Sequence, residues 1–157
     1  MALENWIDEL VKISEITWNG KRVRGYRLYQ TAEFPGAISA TNIPCALVFL
    51  RQVTCEYGTG PCFDIWKGSI EYHLTPNLNR DQLPGLMRAF RLIRDAFAAH
   101  RTLGGKVAYL QLETADGPSI AGPAVLQYGA EEPHFGLVAN WWAKVITGSE
   151  ISPILGS

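Results

Sequence analysis

The chain has three cysteines, Cys45, Cys55 and Cys62, and no C-x-x-C pair. An odd, scattered count argues against a disulfide framework or a zinc module. A Cys55–Cys62 bridge is conceivable, but three reduced, buried thiols on strands are the expectation. Long apolar runs are also missing. The longest, Ile43 to Leu50, is eight residues including Pro44, far short of the ~20 that span a bilayer. No basic, apolar leader opens the chain: "MALENWIDEL" is acidic and amphipathic, so synthesis in the cytoplasm without secretion is expected. Charge of one sign is missing as well. The net charge is -1, which excludes a general affinity for nucleic acid or anionic lipid.

Catalytic motifs are equally scarce. There is no G-x-S-x-G elbow, no Walker loop, no G-x-G-x-x-G and no H-E-x-x-H. The glycine-rich "YGTGPC" lies between two strand patterns, without the helix N-terminus that a phosphate cradle needs. The histidines, His73, His100 and His134, are far apart in sequence. Each is expected to be a surface residue or a satisfied polar side chain. The reading is therefore of no catalytic residue, no metal and no cofactor.

What is present is an ordinary globular composition, 47% hydrophobic and 18% charged, and 157 residues suit one domain spanning 1–157. Charges segregate locally. Residues 1–17 carry four acids and one base, whereas 18–32 carry Lys21, Arg22, Arg24 and Arg27 with no acid. Residues 80–101 carry five arginines and two aspartates; residues 102–157 carry five acids and two bases. Opposed patches on a near-neutral chain suit self-association or protein docking. The basic 21–29 arm with Tyr26 and Tyr29 also mixes cations and aromatics as single-strand binders do, though no nucleic-acid motif accompanies it.

Periodicity gives the elements. Leu3, Trp6, Ile7, Leu10 and Val11 predict an amphipathic helix over 3–17. Asn19-Gly20 signals a turn, residues 23–30 a strand or extended arm, and 18–43 as a whole a long loop or arm. "CALVFLRQVTCEY" (45–57) and "CFDIWKGSIEYHL" (62–74) predict an antiparallel hairpin. In its second strand Trp66, Ile70, Tyr72 and Leu74 share a face, and Gly68 marks a bulge. Leu83, Leu86, Met87, Phe90, Ile93 and Phe97 form the stripe of a helix of about 20 residues, with Asp81 as N-cap and Gly104-Gly105 as the stop. Arg88, Arg91 and Arg94 step along its flank. Strands follow at 106–114, 124–128 and 134–146. The order α-β-β-α-β-β-β predicts an α+β fold with a mainly antiparallel sheet, an N-terminal helix and one long central helix.

The last strand, "HFGLVANWWAKVI", poses a problem. Phe135, Leu137, Ala139, Trp141, Ala143 and Val145 make one apolar face, yet Val138, Trp142 and Ile146 stand on the face that should be wet. Either a neighbouring subunit covers Trp142, or the N-terminal helix folds over that side as a third layer.

The stretch "LQYGAEEPHFGLVANWWAKV" resembles the end of tail-terminator and related neck proteins of tailed bacteriophages. There an aromatic-glycine pair, a turn and a second such pair lead into a long last strand; here the pairs are Tyr128-Gly129 and Phe135-Gly136. The lead-in "NIPCALVFL" and the helix between two hairpin-like groups are similar too, so the resemblance covers roughly 43–146. It implies a non-enzymatic, ring-forming virion protein that caps the tail tube, usually as a hexamer, and is assembled in the host cytoplasm. Its implied partners are the tail tube protein and a neck or connector protein, with DNA only passing through the channel and no membrane. On this reading Val138, Trp142, Ile146, Lys21, Arg22, Arg24 and Arg27 are subunit-interface candidates. Arg88, Arg91 and Arg94 would face a partner or the channel. The rival readings are a head-completion or other neck protein and, from a different class, a small cytoplasmic α+β enzyme.

Overall fold

The structure, a computed structural model, describes residues 5–27, 41–56, 63–77, 80–113, 119–127 and 133–146. Helix α1 (Asn5–Ser14) is followed by three short strands, β1 (Thr17–Trp18), β2 (Lys21–Arg22) and β3 (Arg24–Arg27). Then come the long hairpin β4 (Cys45–Glu56) and β5 (Phe63–Thr75), helix α2 (Leu83–Ala99), β6 (Tyr109–Leu112), β7 (Ile120–Leu126) and β8 (His134–Ile146). The fold is α+β with a mostly antiparallel sheet. Its order is β3-β4-β5-β8-β6, with β7 pairing β8 beside β6.

The predicted 18–43 loop is the main correction to the expected order. Asn19 and Gly20, at φ 50° and 76°, turn the β1–β2 hairpin, the left-handed pair that such a turn requires. The β3 strand then joins the sheet parallel to β4, the one exception to the antiparallel rule among the described strands. These strands lack periodicity because they are two to four residues long, too short for a pattern to repeat. Residues 28–40 of the arm, Cys62 and Tyr128-Gly129 lie outside the described residues.

Both helices pack on one face of the sheet. Trp6 and Leu10 of α1, Leu86, Ala89, Ile93 and Phe97 of α2, and Ile70, Tyr72, Leu110, Leu137, Ala139 and Trp141 of the strands form one buried cluster. Trp6 meets Trp66 and Trp141 edge-on, with ring centroids 5.2 and 6.0 Å away. Gly68 makes this packing possible. A Cβ there would overlap the Phe49 carbonyl oxygen and press into the Trp141 ring. The ladder slips opposite it, between Leu50 and Gln52, so Gly68 does sit at a bulge. Alternation along β4 alone predicts Cys45, Leu47, Phe49, Val53, Cys55 and Tyr57 on one face, and the slip corrects this. Cys45, Leu47 and Phe49 point away from the helices, whereas Val53, paired with Trp66, points toward them.

The central helix departs from its prediction in three ways. It starts at Leu83 with Gln82 as cap, one residue later than Asp81 would set, and Pro84 still falls in the first turn where no N–H is needed. It ends at Ala99, before the left-handed Leu103-Gly104-Gly105 turn, giving 17 residues, or ~26 Å at the usual rise. Only half its apolar stripe is buried: Leu86, Ile93 and Phe97 face the core, while Leu83, Met87 and Phe90 are exposed. The Trp18 indole N–H donates to the Gly85 carbonyl at 2.7 Å, pinning the β1–β2 turn to the start of α2.

Candidate functional site

The pleat of β8 sends successive side chains to opposite faces. Trp141 goes inward to 1% exposure; Trp142 goes outward and is only partly buried. The third-layer reading is therefore corrected: α1 packs against Trp141, on the other side from Trp142. Around Trp142, the register places Lys67 of β5 on one side and Gln111 of β6 on the other. The Tyr109 ring lies 5.6 Å away, tilted by 44°. Val138 and Ile146 share this face and are also partly buried. Their β5 partners are Glu71 and Phe63. Lys144 lays its ammonium 4.2 Å from the Phe63 ring centroid.

An ionic clamp crosses the same face. Glu113, just after β6, is 7% exposed and receives Arg51 at 3.1 Å and Lys67 at 3.3 Å. Neither cation is itself buried, so both keep part of their hydration while neutralising the carboxylate. The outer face is thus a mosaic of aromatic and aliphatic spots between satisfied charges, with no helix over it among the described residues.

Two cations of the basic arm have partners within the chain. Arg22 pairs with Glu15 at 2.6 Å, and Arg27 pairs with Asp8. Both acids belong to the N-terminal acidic segment, so the two opposed patches neutralise each other in part inside the chain. Glu15 also accepts the Gly25 N–H at 3.0 Å. Lys21 and Arg24 remain exposed, and Arg24 stacks over Tyr26 at 5.2 Å.

Arg88, Arg91 and Arg94 are exposed on α2 as the three-residue step predicts. Arg88 donates to the Asn19 side chain at 2.9 Å; Arg94 contacts the neighbouring Asp95 at 3.3 Å. Beside them runs a groove of ≈ 470 Å³ between α2 and the sheet. Leu83, Met87 and Phe90 line its helix side, Gly122-Pro123 and Leu137 its sheet side, and Arg91 and Arg94 are its only charged lining residues among the described residues. Pro123 has no N–H to give the ladder, and the β7–β8 register slips between Ala121 and Ala124.

One cluster was not legible in the sequence. His73 and His134, 61 residues apart, are 0% and 4% exposed and face each other Nδ1 to Nδ1 at 3.3 Å. His73 Nε2 lies 3.0 Å from Glu71 Oε1. The simplest proton assignment has His73 donate from Nε2 to Glu71 and accept at Nδ1 from His134. Only antiparallel pairing of β5 with β8 brings the two rings together. Cys45 stands across the ladder from His73. Burial, with the Glu71 charge second, pushes its thiol up to about 12. Burial also pushes the Tyr72 hydroxyl well above its ordinary value. His100 is exposed and contacts the Ala96 carbonyl at 2.8 Å. Cys55 is exposed, contrary to the expectation of a buried thiol. Its side of β4 lies beyond the bulge and outside the helix-covered region.

Among the described residues, no group of three His, Cys, Asp or Glu side chains is arranged to hold a metal ion, and no helix is long and apolar enough to cross a membrane. No protein-family model matches the chain, and no curated protein matches it.

Proposed function

We propose that this chain is a structural protein of a tailed bacteriophage: a tail terminator whose subunits close into a ring, six-fold by analogy, that caps the tail tube and joins it to the neck. The observation that carries the reading is the one-sided fold. Both helices lie on the Trp141 face, and the Trp142 face presents Val138, Trp142 and Ile146, only partly buried, with no helix over them among the described residues. A tryptophan in such a position is a natural anchor for a neighbouring subunit. The Arg88–Arg91–Arg94 ridge is then a surface toward an acidic partner or the channel. The tail tube protein and a neck or connector protein are the expected partners, and the virion is the expected location. A head-completion or other neck protein would use the same fold with different docking surfaces.

The buried His73–His134 pair is the observation that favours an enzyme instead, since paired titratable groups are a feature of active sites. The groove described along α2 does not include that pair. Light scattering coupled to size exclusion tests the proposal, over a range of protein and magnesium concentrations. A discrete ring is expected. A chain that stays monomeric both free and in the presence of polymerised tail tubes overturns the ring.

A further inference from the structure

The buried His73–His134 pair is unused by the ring reading. It lies on the outer face near the start of β8, whereas the partly buried Trp142 lies toward the end of that strand. Gly136, not His134, stands directly across the ladder from His73. Glycine leaves the place opposite His73 open; a Cβ there would overlap the Tyr72 carbonyl oxygen. His134, two residues earlier on the same face, reaches His73 diagonally. The rings meet edge to face, with centroids 5.5 Å apart and an interplanar angle of 85°.

This contact admits a limited number of protons. With both rings neutral, His134 donates from Nδ1 and His73 accepts there, while His73 Nε2 donates to Glu71 at 3.0 Å. With one ring charged, a single proton still lies between the two Nδ1 atoms. With both charged, every ring nitrogen carries a proton, and two Nδ1–H donors point at each other across 3.3 Å. Among the described residues, the surroundings hold one compensating charge. Glu71 faces the pair from β5. Cys45 stands across from His73 on β4, and burial pushes its thiol up to about 12, so it stays neutral. β7 contributes the apolar Leu126 beside His134. Arg24 of β3, across from Cys45, is exposed and stacked over Tyr26. Both helices pack on the other face. Two touching cations, nearly dry, against one carboxylate make a costly state. The unfolded chain has no such limit and takes both protons near the ordinary imidazole value of ~6.5.

We propose that the His73–His134 contact is an acid-sensitive latch, which holds the start of β8 to the end of β5 while one proton lies between the two Nδ1 atoms and releases when both rings become charged. The β7–β8 pairs Val125–Phe135 and Leu126–His134 lie at the same end of the sheet and open with it. The closed latch refuses at least one proton that the open chain accepts. Its contribution is therefore complete above pH ~6.5 and is lost as pH falls below that value. The inference is independent of the ring reading.

Nitrogen-15 NMR of the imidazoles in the full chain, from pH 8 to 5, counts the protons. Amide hydrogen exchange on the same samples reads the ladder. One of the two rings should stay neutral for as long as the 134–138 amides remain protected. Their protection factors should fall at least ~10-fold per pH unit below pH 6, the linkage of one proton. His134→Gln keeps an uncharged partner, since its amide donates to a neutral His73 and turns to accept from a charged one; that variant should lose most of the pH dependence. Two charged rings in a chain whose 134–138 amides stay protected overturn the proposal. So do rings that stay neutral to pH 5 with unchanged protection, or a His134→Gln chain with the parent's pH dependence. If His134→Gln does not fold, the parent's titration decides alone.

Discussion

Trp141 and Trp142 are adjacent in sequence and opposite in space, and replacing each by alanine separates folding from assembly. Trp141 is 1% exposed, seated over Gly68 and edge-on to Trp6. An indole of about 200 Å² buried at about 25 cal/mol per Å² is worth ~5 kcal/mol in transfer free energy. Its Nε1 has no hydrogen-bond partner among the described residues, so deleting the ring also removes a desolvated donor, which returns ~1–2 kcal/mol. The net expectation for Trp141→Ala is a loss of ~3–4 kcal/mol, inside the usual range for emptying a core site. Trp142 is partly exposed and its one ring contact among the described residues is Tyr109. Trp142→Ala should cost ~1 kcal/mol or less. Urea unfolding followed by circular dichroism, which does not depend on the tryptophan signal, gives both values. Sedimentation of the same samples reads assembly. Trp142→Ala should stay folded and lose self-association. Equal destabilisation by the two substitutions would refute the two-faced account of β8, and a folded Trp142→Ala chain that assembles normally would remove Trp142 from the interface.

Two further predictions address the sheet. Cys45 gives stability a pH dependence of definite sign. Its folded value is raised from 9.0 to about 12, so the unfolded thiol ionises first. The contribution is complete below pH ~9 and is lost as pH rises toward 12, by roughly 1.4 kcal/mol per unit at most. Unfolding curves of the parent and Cys45→Ala chains should therefore converge between those limits; a constant difference would contradict the buried thiol. Gly68→Ala should prevent folding or cost more than ~3 kcal/mol, since its Cβ has no space between the Phe49 carbonyl and Trp141. Gly104→Ala is the control, strained by φ +69° but open to solvent, and should cost only ~1 kcal/mol. Thermal melts compare the two, and a Gly68→Ala chain with unchanged Tm would disprove the close approach.

Local chemistry alone determined a good deal. Apolar alternation located β8 at residues 134–146, the bounds observed. Asn19-Gly20 gave its turn, and Gly68 its bulge, because these depend on neighbours a few residues away. The helical periods of α1 and α2 were legible for the same reason. The α+β class followed from the element types and their order. Helix ends were less legible, since Gly104-Gly105 turns the chain only after α2 has already stopped at Ala99.

Tertiary structure decided what needed partners distant in sequence. The short β3 is a strand because β4 supplies its hydrogen bonds, not because RGYR repeats anything. The apolar stripe of α2 split into core and groove because the sheet beneath it covers only one flank. Acidic and basic segments that read as opposed patches became Arg22–Glu15 and Arg27–Asp8 pairs once α1 folded back beside β2 and β3. Two histidines 61 residues apart became one buried pair through the β5–β8 register. The alternation of β8 established by sequence that Trp141 and Trp142 point oppositely. The wholly apolar composition of the Trp141 face also marked it as the covered one; whether α1 would cover the Trp142 face as well depended on where the chain carries that helix, about which periodicity carries no information.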